Sequence, residues 1–445
     1  MYKEIIDGID LILVPLYLVL FLFILLIIKK RNRDNVLIQK YLIKGFLFKA
    51  FCAIFYCLLL YFYYGYGDSM SYFRDAIFIQ HQVRTGNETF KILLMDNLYG
   101  RDVHGIIGSG NEGGWIVEKI AFLLSYISFS RFIVVSLFFS LLAYSGIWKM
   151  FVTFNDIMPG WDKRIAFIVL FFPSMAVYGS GVLKDTICMA SLGWLLYSSH
   201  QLLTKKQIKL KYILILLLCI TIIGFVKIYI VAAFVPAYIL YLIILLVKKI
   251  KNGFIRRLIL PFLLLMVVSV YFVFENTIDD WLGGYSMEKI FDTVKEQQGI
   301  YLSAEDADKG SIFDLGNFEP TVGGFINKMP AGITAAIYRP FIWESKKVIM
   351  LFSALESFFL LCFTLYVMYK TGMGKFFKEI YKNPFIFLCI IYSLLFAALV
   401  GLSTFNFGTL ARYRIPLIPF YACGILAIWY NYQKANPQKP LQNPA

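Results

Sequence analysis

Long apolar runs separated by short charged segments dominate this chain. The runs that approach the length of a bilayer crossing fall at 10–28, 43–64, 132–152, 165–178, 185–203, 212–226, 229–247, 257–274, 348–369, 385–402 and 416–430. A helix needs about 20 apolar residues to cross the hydrocarbon layer. The pattern therefore predicts an all-α, polytopic transmembrane helical bundle of about eleven spans. Several runs are short, which suits tilted, broken or re-entrant helices.

Charge orients these spans. The segments 29–49, 149–164, 205–211, 248–257 and 370–382 are basic. Placing all five on the cytoplasmic side satisfies the positive-inside rule and makes the spans alternate without a forced reversal. The N-terminus is then outside and the C-terminus inside. Two long loops, 65–131 and 275–347, lie on the outer face with three short turns at 179–184, 227–228 and 403–414. Within the loops, 70–83, 115–129 and 286–298 read as helices of a small cap, linked by glycine- and Asn-rich pieces such as 108–114. The stretch 115–129 is apolar but short and carries Glu118 and Lys119, as expected of an amphipathic helix along the outer interface. Residues 1–434 form one membrane domain, and 435–445, rich in Pro and Asn, a disordered tail.

Composition agrees. The chain is 59% hydrophobic and 16% charged, with mean hydropathy +0.69, whereas soluble domains hold about a quarter charged residues. The net charge of +15 resides largely in short loops, so it reflects membrane orientation and not nucleic-acid binding. Seven Cys lie in or beside apolar runs and three His are scattered, giving no disulfide framework and no zinc spacing. The first run is followed by Lys29-Lys30-Arg31 and reads as a retained span, not a removed signal peptide.

Four constellations could carry chemistry. Gly67-Asp68-Ser69 follows the second span, with Tyr72, Arg74 and Asp75 close behind. A carboxylate at Asp68 suits a general base or a divalent cation, and Tyr72 would share its helix face. The structural alternative makes Asp68 or Ser69 a helix N-cap. Next, Ser180-Gly181 leads into Lys184-Asp185 at a tight turn. A helix N-terminus with a Lys is a plausible anion site, or an ordinary capped hairpin. Third, Arg412 and Arg414 precede the last span, on the outer face against the usual bias. Arginine matches phosphate geometry, although residues two apart on a helix point to different sides, so one of the pair would meet a given ligand. Fourth, Arg339 stands among aromatics in Tyr338-Arg339-Pro340-Phe341. Glu356 and Lys227, at or inside apolar spans, need partners.

The Gly67-Asp68…Tyr72 cluster, Asn111-Glu112-Gly113-Gly114-Trp115, Ser180-Gly181…Lys184-Asp185 and Asn406-Phe407-Gly408…Arg412-Tyr413-Arg414 occur in an order that resembles Wzy-type and EpsG-like polysaccharide polymerases. Arg412 to Pro419 is also similar to the last-span motif of the GT-C glycosyltransferases. One extra span precedes the first outer loop here, and Asp68-Ser69 stands where many relatives carry paired acids. The resemblance implies a GT-C-like transferase at the outer face of a bacterial cytoplasmic membrane. Its donor would be a sugar on polyprenyl (pyro)phosphate and its acceptor a glycan, with polysaccharide assembly proteins as further partners. It implies Asp68 as the catalytic carboxylate, with a divalent cation there as an open question. Lys184, Arg339, Arg412 and Arg414 are then expected to converge with Asp68 on one outward cavity, Tyr72, Arg74 and Asp185 beside them. A lipid-linked glycan flippase and a non-catalytic scaffold are the competing readings.

Overall fold

The computed structural model describes residues 5–94, 112–251, 299, 312–316, 319 and 321–436. Among these the chain is helical, with an isolated bridge between Ile312 and Asn406 in place of any strand. It divides into two compact units, Met1–Ile228 and Tyr229–Ala445.

In the first unit, α1 (Asp10–Arg31) and α2 (Val36–Leu59) form a hairpin. Asp10 in the first turn of α1 and Lys29, Lys30 and Arg31 in its last complement the helix dipole. Leu11, Ile12, Val19 and Phe23 are exposed, as a lipid-facing helix requires. A single π-turn, Leu60–Tyr64, extends α2 before Gly65 and Gly67 break it. Then come α3 (Asp68–Arg84), α4 (Glu112–Ile127) and α5 (Phe132–Ile157). The run predicted at 165–178 is two short helices, α6 (Asp162–Val169) and α7 (Pro173–Tyr178). Pro173 opens α7 and holds Phe172 extended, as the residue before a proline must be. The unit closes with α8 (Lys184–Leu203) and α9 (Leu210–Val226).

Small residues set the tightest crossing. A Cβ on Gly146 of α5 would lie 2.0 Å from the Ala190 carbonyl oxygen, and one on Gly193 of α8 2.0 Å from that of Gly146. Backbones meet there, the usual device for helix association in lipid.

The unit has two chemically distinct ends. Arg131, before α5, pairs with Asp10 at 2.6 Å and Asp7 at 2.5 Å, so α1 and α5 start together. At the opposite end Asp162 binds Lys40 at 2.5 Å and Tyr41 at 2.6 Å, and Asp156 lies 3.2 Å from Lys205. Lys40 and Lys205, from the basic segments 29–49 and 205–211, are therefore at that second end.

The second unit contains α10 (Ile228–Val247), α11 (Val322–Tyr338), α12 (Val348–Thr371), the amphipathic α13 (Met373–Lys382), α14 (Pro384–Ser403), α15 (Phe407–Tyr413) and α16 (Ile418–Ala435). Here α11 crosses α14 through another glycine pair: a Cβ on Gly401 would meet the Gly332 carbonyl oxygen at 2.0 Å. The α15–α16 pair is bent by 66°.

Six helices among the described residues are long and apolar enough to cross a membrane, or seven if the bent pair counts as one span. That falls short of the expected eleven. The runs at 165–178 and 212–226 make helices of 8, 6 and 17 residues. Helix α8 has the length but mixes Ser, Thr, His and Gln into a buried interior. The runs at 257–274 and 286–298 lie outside the described residues. The helices predicted at 70–83 and 115–129 are present as α3 and α4. α11 lies within the 275–347 outer-loop segment of the expected topology and packs against α14.

Candidate functional site

The first unit brings its polar chemistry together where α3, α4 and the start of α8 meet. Gly67 precedes α3 with φ +152°, a conformation that side chains disfavour. Asp68 is the first residue of the helix and is exposed; no side-chain cap is made at this N-terminus. Asp68, Tyr72 and Asp75 follow at i, i+4 and i+7, one face of a helix. They descend from the exposed Asp68 to Tyr72, 7% exposed, and Asp75, fully buried.

Residues 179–183 wedge beside this face. Val182 N–H donates to Ser69 Oγ at 3.0 Å, and Thr186 Oγ1 donates to the Gly181 carbonyl at 2.7 Å. Only glycine fits at 181: a Cβ there would lie 2.6 Å from the Tyr56 ring and 3.0 Å from Ser69 Oγ. Behind the turn, buried Lys49 of α2 donates to the carbonyls of Met175 at 3.0 Å and Ala176 at 3.3 Å. A cation at the end of α7 satisfies orphan carbonyls and suits the dipole. The turn is thus held from two sides, and it presents Lys184 5.9 Å above the Tyr72 ring.

Asp185, the next residue, is taken up differently. It is 1% exposed and pairs with Lys227 at 2.5 Å. This explains the lysine between α9 and α10 and gives Asp185 a structural partner.

Glu118 completes the cluster from α4. Trp115, Glu118, Ala121, Phe122 and Ser125 are all buried, so the carboxyl lies on the packed face and not on the polar face of an interfacial helix. Neither of its oxygens has a hydrogen-bond partner. Burial, with the like charge of Asp75, pushes this carboxyl up to about 8, against the opposing pull of Lys184. Packing explains Gly113: a Cβ there would lie 2.6 Å from the Val226 carbonyl oxygen, where α4 meets α9. Arg74 is half-buried, and its Nε has no hydrogen-bond partner.

The second unit holds the predicted arginines. Arg414 is fully buried. It donates to the Arg339 carbonyl at 2.8 Å, Ser357 Oγ at 2.7 Å and the Ser353 carbonyl at 3.2 Å. Glu356, the acid inside α12, lies 3.9 Å from it. Arg339 forks onto Glu344, its Nε 3.1 Å from both carboxylate oxygens, and stacks above Phe313 and Phe407 at 5.0 and 5.3 Å. Arg412 is half-buried beside the Tyr413 ring, 5.1 Å from its centroid. The two arginines of the motif do point to different sides. Arg414 is enclosed by protein, and Arg412 keeps exposed surface. Asn406 caps α15 by accepting from Gly408 N–H at 2.8 Å and Thr409 N–H at 3.3 Å, which accounts for the Asn-Phe-Gly part of the motif.

Among the described residues no three His, Cys, Asp or Glu side chains come together as a metal-ion donor set. A divalent cation at Asp68 therefore gains no ligand shell from these residues. No family model, curated protein or solved structure matches the chain. Its class is therefore a helical membrane protein with a buried acid–base cluster at one end of its first unit.

Proposed function

We propose that this protein is a membrane glycosyltransferase or polysaccharide polymerase. It acts at the outer face of the bacterial cytoplasmic membrane on polyprenyl-(pyro)phosphate-linked sugars. The eleven-span, GT-C-like topology with an outer N-terminus and a cytoplasmic C-terminus belongs to the same proposal. The observation that supports it most is the meeting of α3, α4 and α8, where the carboxyls of Asp68, Asp75 and Glu118 and the ammonium of Lys184 share one end of the unit. That end is opposite the basic segments, and it faces outward if the basic end is cytoplasmic.

The chemistry follows from these groups. A carboxylate takes the proton of an acceptor hydroxyl as that oxygen bonds to the anomeric carbon. The bond from the anomeric carbon to the donor phosphate oxygen breaks, and the phosphate leaves with the electron pair. Cationic side chains stabilise the charge it gains. Asp68, exposed at the first turn, is the carboxylate placed to meet a substrate. Arg412 is the motif arginine with surface left for a phosphate, and Arg414 and Arg339 hold the segment around it.

Transfer of a labelled lipid-linked glycan in proteoliposomes tests this. Asp68→Asn should lower turnover by about two to four orders of magnitude while donor binding persists. Full activity in that variant would leave Asp68 as a first-turn acid and overturn its catalytic role. The flippase reading has its own support in Lys49, buried within the membrane-capable α2, since ionisable groups inside membrane helices also serve carriers. Lipid crossing the bilayer with no transfer would establish it.

A further inference from the structure

We propose that Glu118 is a proton-binding site of the first unit, a neutral carboxylic acid at rest that releases its proton when positive charge is brought against it. The side chain is fully buried, and neither carboxyl oxygen has a hydrogen-bond partner. An ionised carboxylate left so would be an isolated buried charge, the most costly state available to it. A structural ion pair is the ordinary reason for an acid in such a place. Among the described residues no cation hydrogen-bonds to either oxygen.

Among the described residues the surrounding charges are few. From α3 comes Asp75, itself fully buried, whose like charge opposes ionisation of Glu118. From α8 comes Lys184, half-buried, which favours it. Lys227, after α9, is taken by Asp185 at 2.5 Å. The facing stretch of α5, residues 132–140, has no ionisable side chain. Arg131 before it is held by Asp7 and Asp10. On α4 itself Lys119 lies over the Trp115 ring at 5.2 Å, and the Tyr126 ring receives Arg84 at 5.2 Å. The balance therefore rests on Asp75 against Lys184. Burial reinforces the first, which is why the carboxyl is pushed up to about 8.

The enclosure also selects the ligand. A group with no exposed surface admits nothing as large as a sugar or a phosphate unless helices part, whereas a proton can reach it. Lys184 is the natural regulator. It stands on the rim between the exposed face of α3 and the interior, so an anion that drew its ammonium away would tighten the hold of Glu118 on the proton. Return of the ammonium would loosen it. This inference does not depend on the transferase reading, because titration needs no substrate.

Infrared difference spectroscopy of the purified full-length protein, titrated from about pH 5 to about pH 10, reads the carboxyl directly. Wild type should show a protonated-carboxyl band at neutral pH that is lost through about 8, and Glu118→Gln should lack it. Asp75→Asn should move the midpoint down by about one unit or more, and Lys184→Gln should move it up. No carboxyl titrating above about pH 6 would overturn the proposal. So would a band that survives in Glu118→Gln, which would place the proton on Asp75. If Glu118→Gln does not fold, the other two variants decide: midpoints that stay still, or move the opposite way, overturn it.

Discussion

At the scale of single residues, the buried ion pairs among the described residues contrast with Glu118, neither of whose carboxyl oxygens has a hydrogen-bond partner. Asp185 and Lys227 are the clearest pair, 1% and 6% exposed. Removing one partner strands the other, which costs about 3–5 kcal/mol for a buried pair. Lys227→Ala should therefore lower the melting temperature in detergent sharply, and Asp185→Ala/Lys227→Ala together should recover part of that loss. Arg414 and Arg412 should behave as opposites. Arg414→Ala removes the hydrogen bonds to the Arg339 and Ser353 carbonyls and Ser357 Oγ and the ion pair with Glu356, so it should reduce folded yield. Arg412→Ala should weaken binding of a polyprenyl-phosphate donor, with Lys a partial replacement because it lacks the planar fork. Glu118 predicts a pH dependence of the opposite sense to most acids. Its folded value, about 8, lies above the ordinary 4.5, so between them the folded state holds a proton that the unfolded chain has lost. The contribution of Glu118 to stability is greatest below about pH 4.5, falls as pH rises to about 8, and is flat above. Glu118→Gln should flatten that decline in thermal melts between those limits.

Helices show how local pattern and packing divide the work. α1, α5, α10, α12 and α14 are apolar over a bilayer's length, and their spans are readable from hydropathy alone. Breaks at Pro173 and at Gly65 and Gly67 are equally local, since these residues limit or release the backbone wherever they stand. α4 was misread in one respect. Its Glu118 and Lys119 suggested a polar face toward water, but Glu118 shares its face with Trp115, Ala121 and Phe122, all buried. The spacing 115, 118, 122 was a signal that the acid sits on the packed side. What it faces could not be read, because Asp75 and Lys184 come from other helices. The glycine crossings are a second case. Gly146, Gly193, Gly332 and Gly401 look like ordinary span residues until a neighbour's backbone is set against them. Gly146→Ala should cost about 1–3 kcal/mol, a typical overpacking penalty, seen as a lower melting temperature. Glycine at 224, with open space around it, should accept Ala at no such loss.

For the whole molecule, the sidedness of each unit is the testable statement. The first unit places Tyr66 and Lys206 at opposite ends, the one after α2 and the other after α8. Both are outside the helices, and Tyr66 is 73% exposed. Among the seven cysteines only Cys362 is exposed, so a Cys362→Ser background suits labelling. Tyr66→Cys should react with an impermeant thiol reagent from outside intact cells, and Lys206→Cys only after the membrane is opened. Labelling of both from one side would refute the orientation drawn from the basic segments.

Membrane character, the helical class and the basic segments that imply sidedness were determined by sequence alone, because hydrophobic length and loop charge act through the bilayer and need no tertiary partner. Asp68, Tyr72 and Lys184 were legible as candidates for a similar reason: each stands at a glycine-marked helix start. Tertiary structure decided what those groups do next. It enclosed Arg414, tied Asp185 to Lys227, spent Lys49 on the end of α7, and left Glu118 buried without a partner. The state of an ionisable group is set by burial and by charges within a few ångströms. In this chain those charges arrive from helices more than 40 residues apart, so no window of sequence contains them.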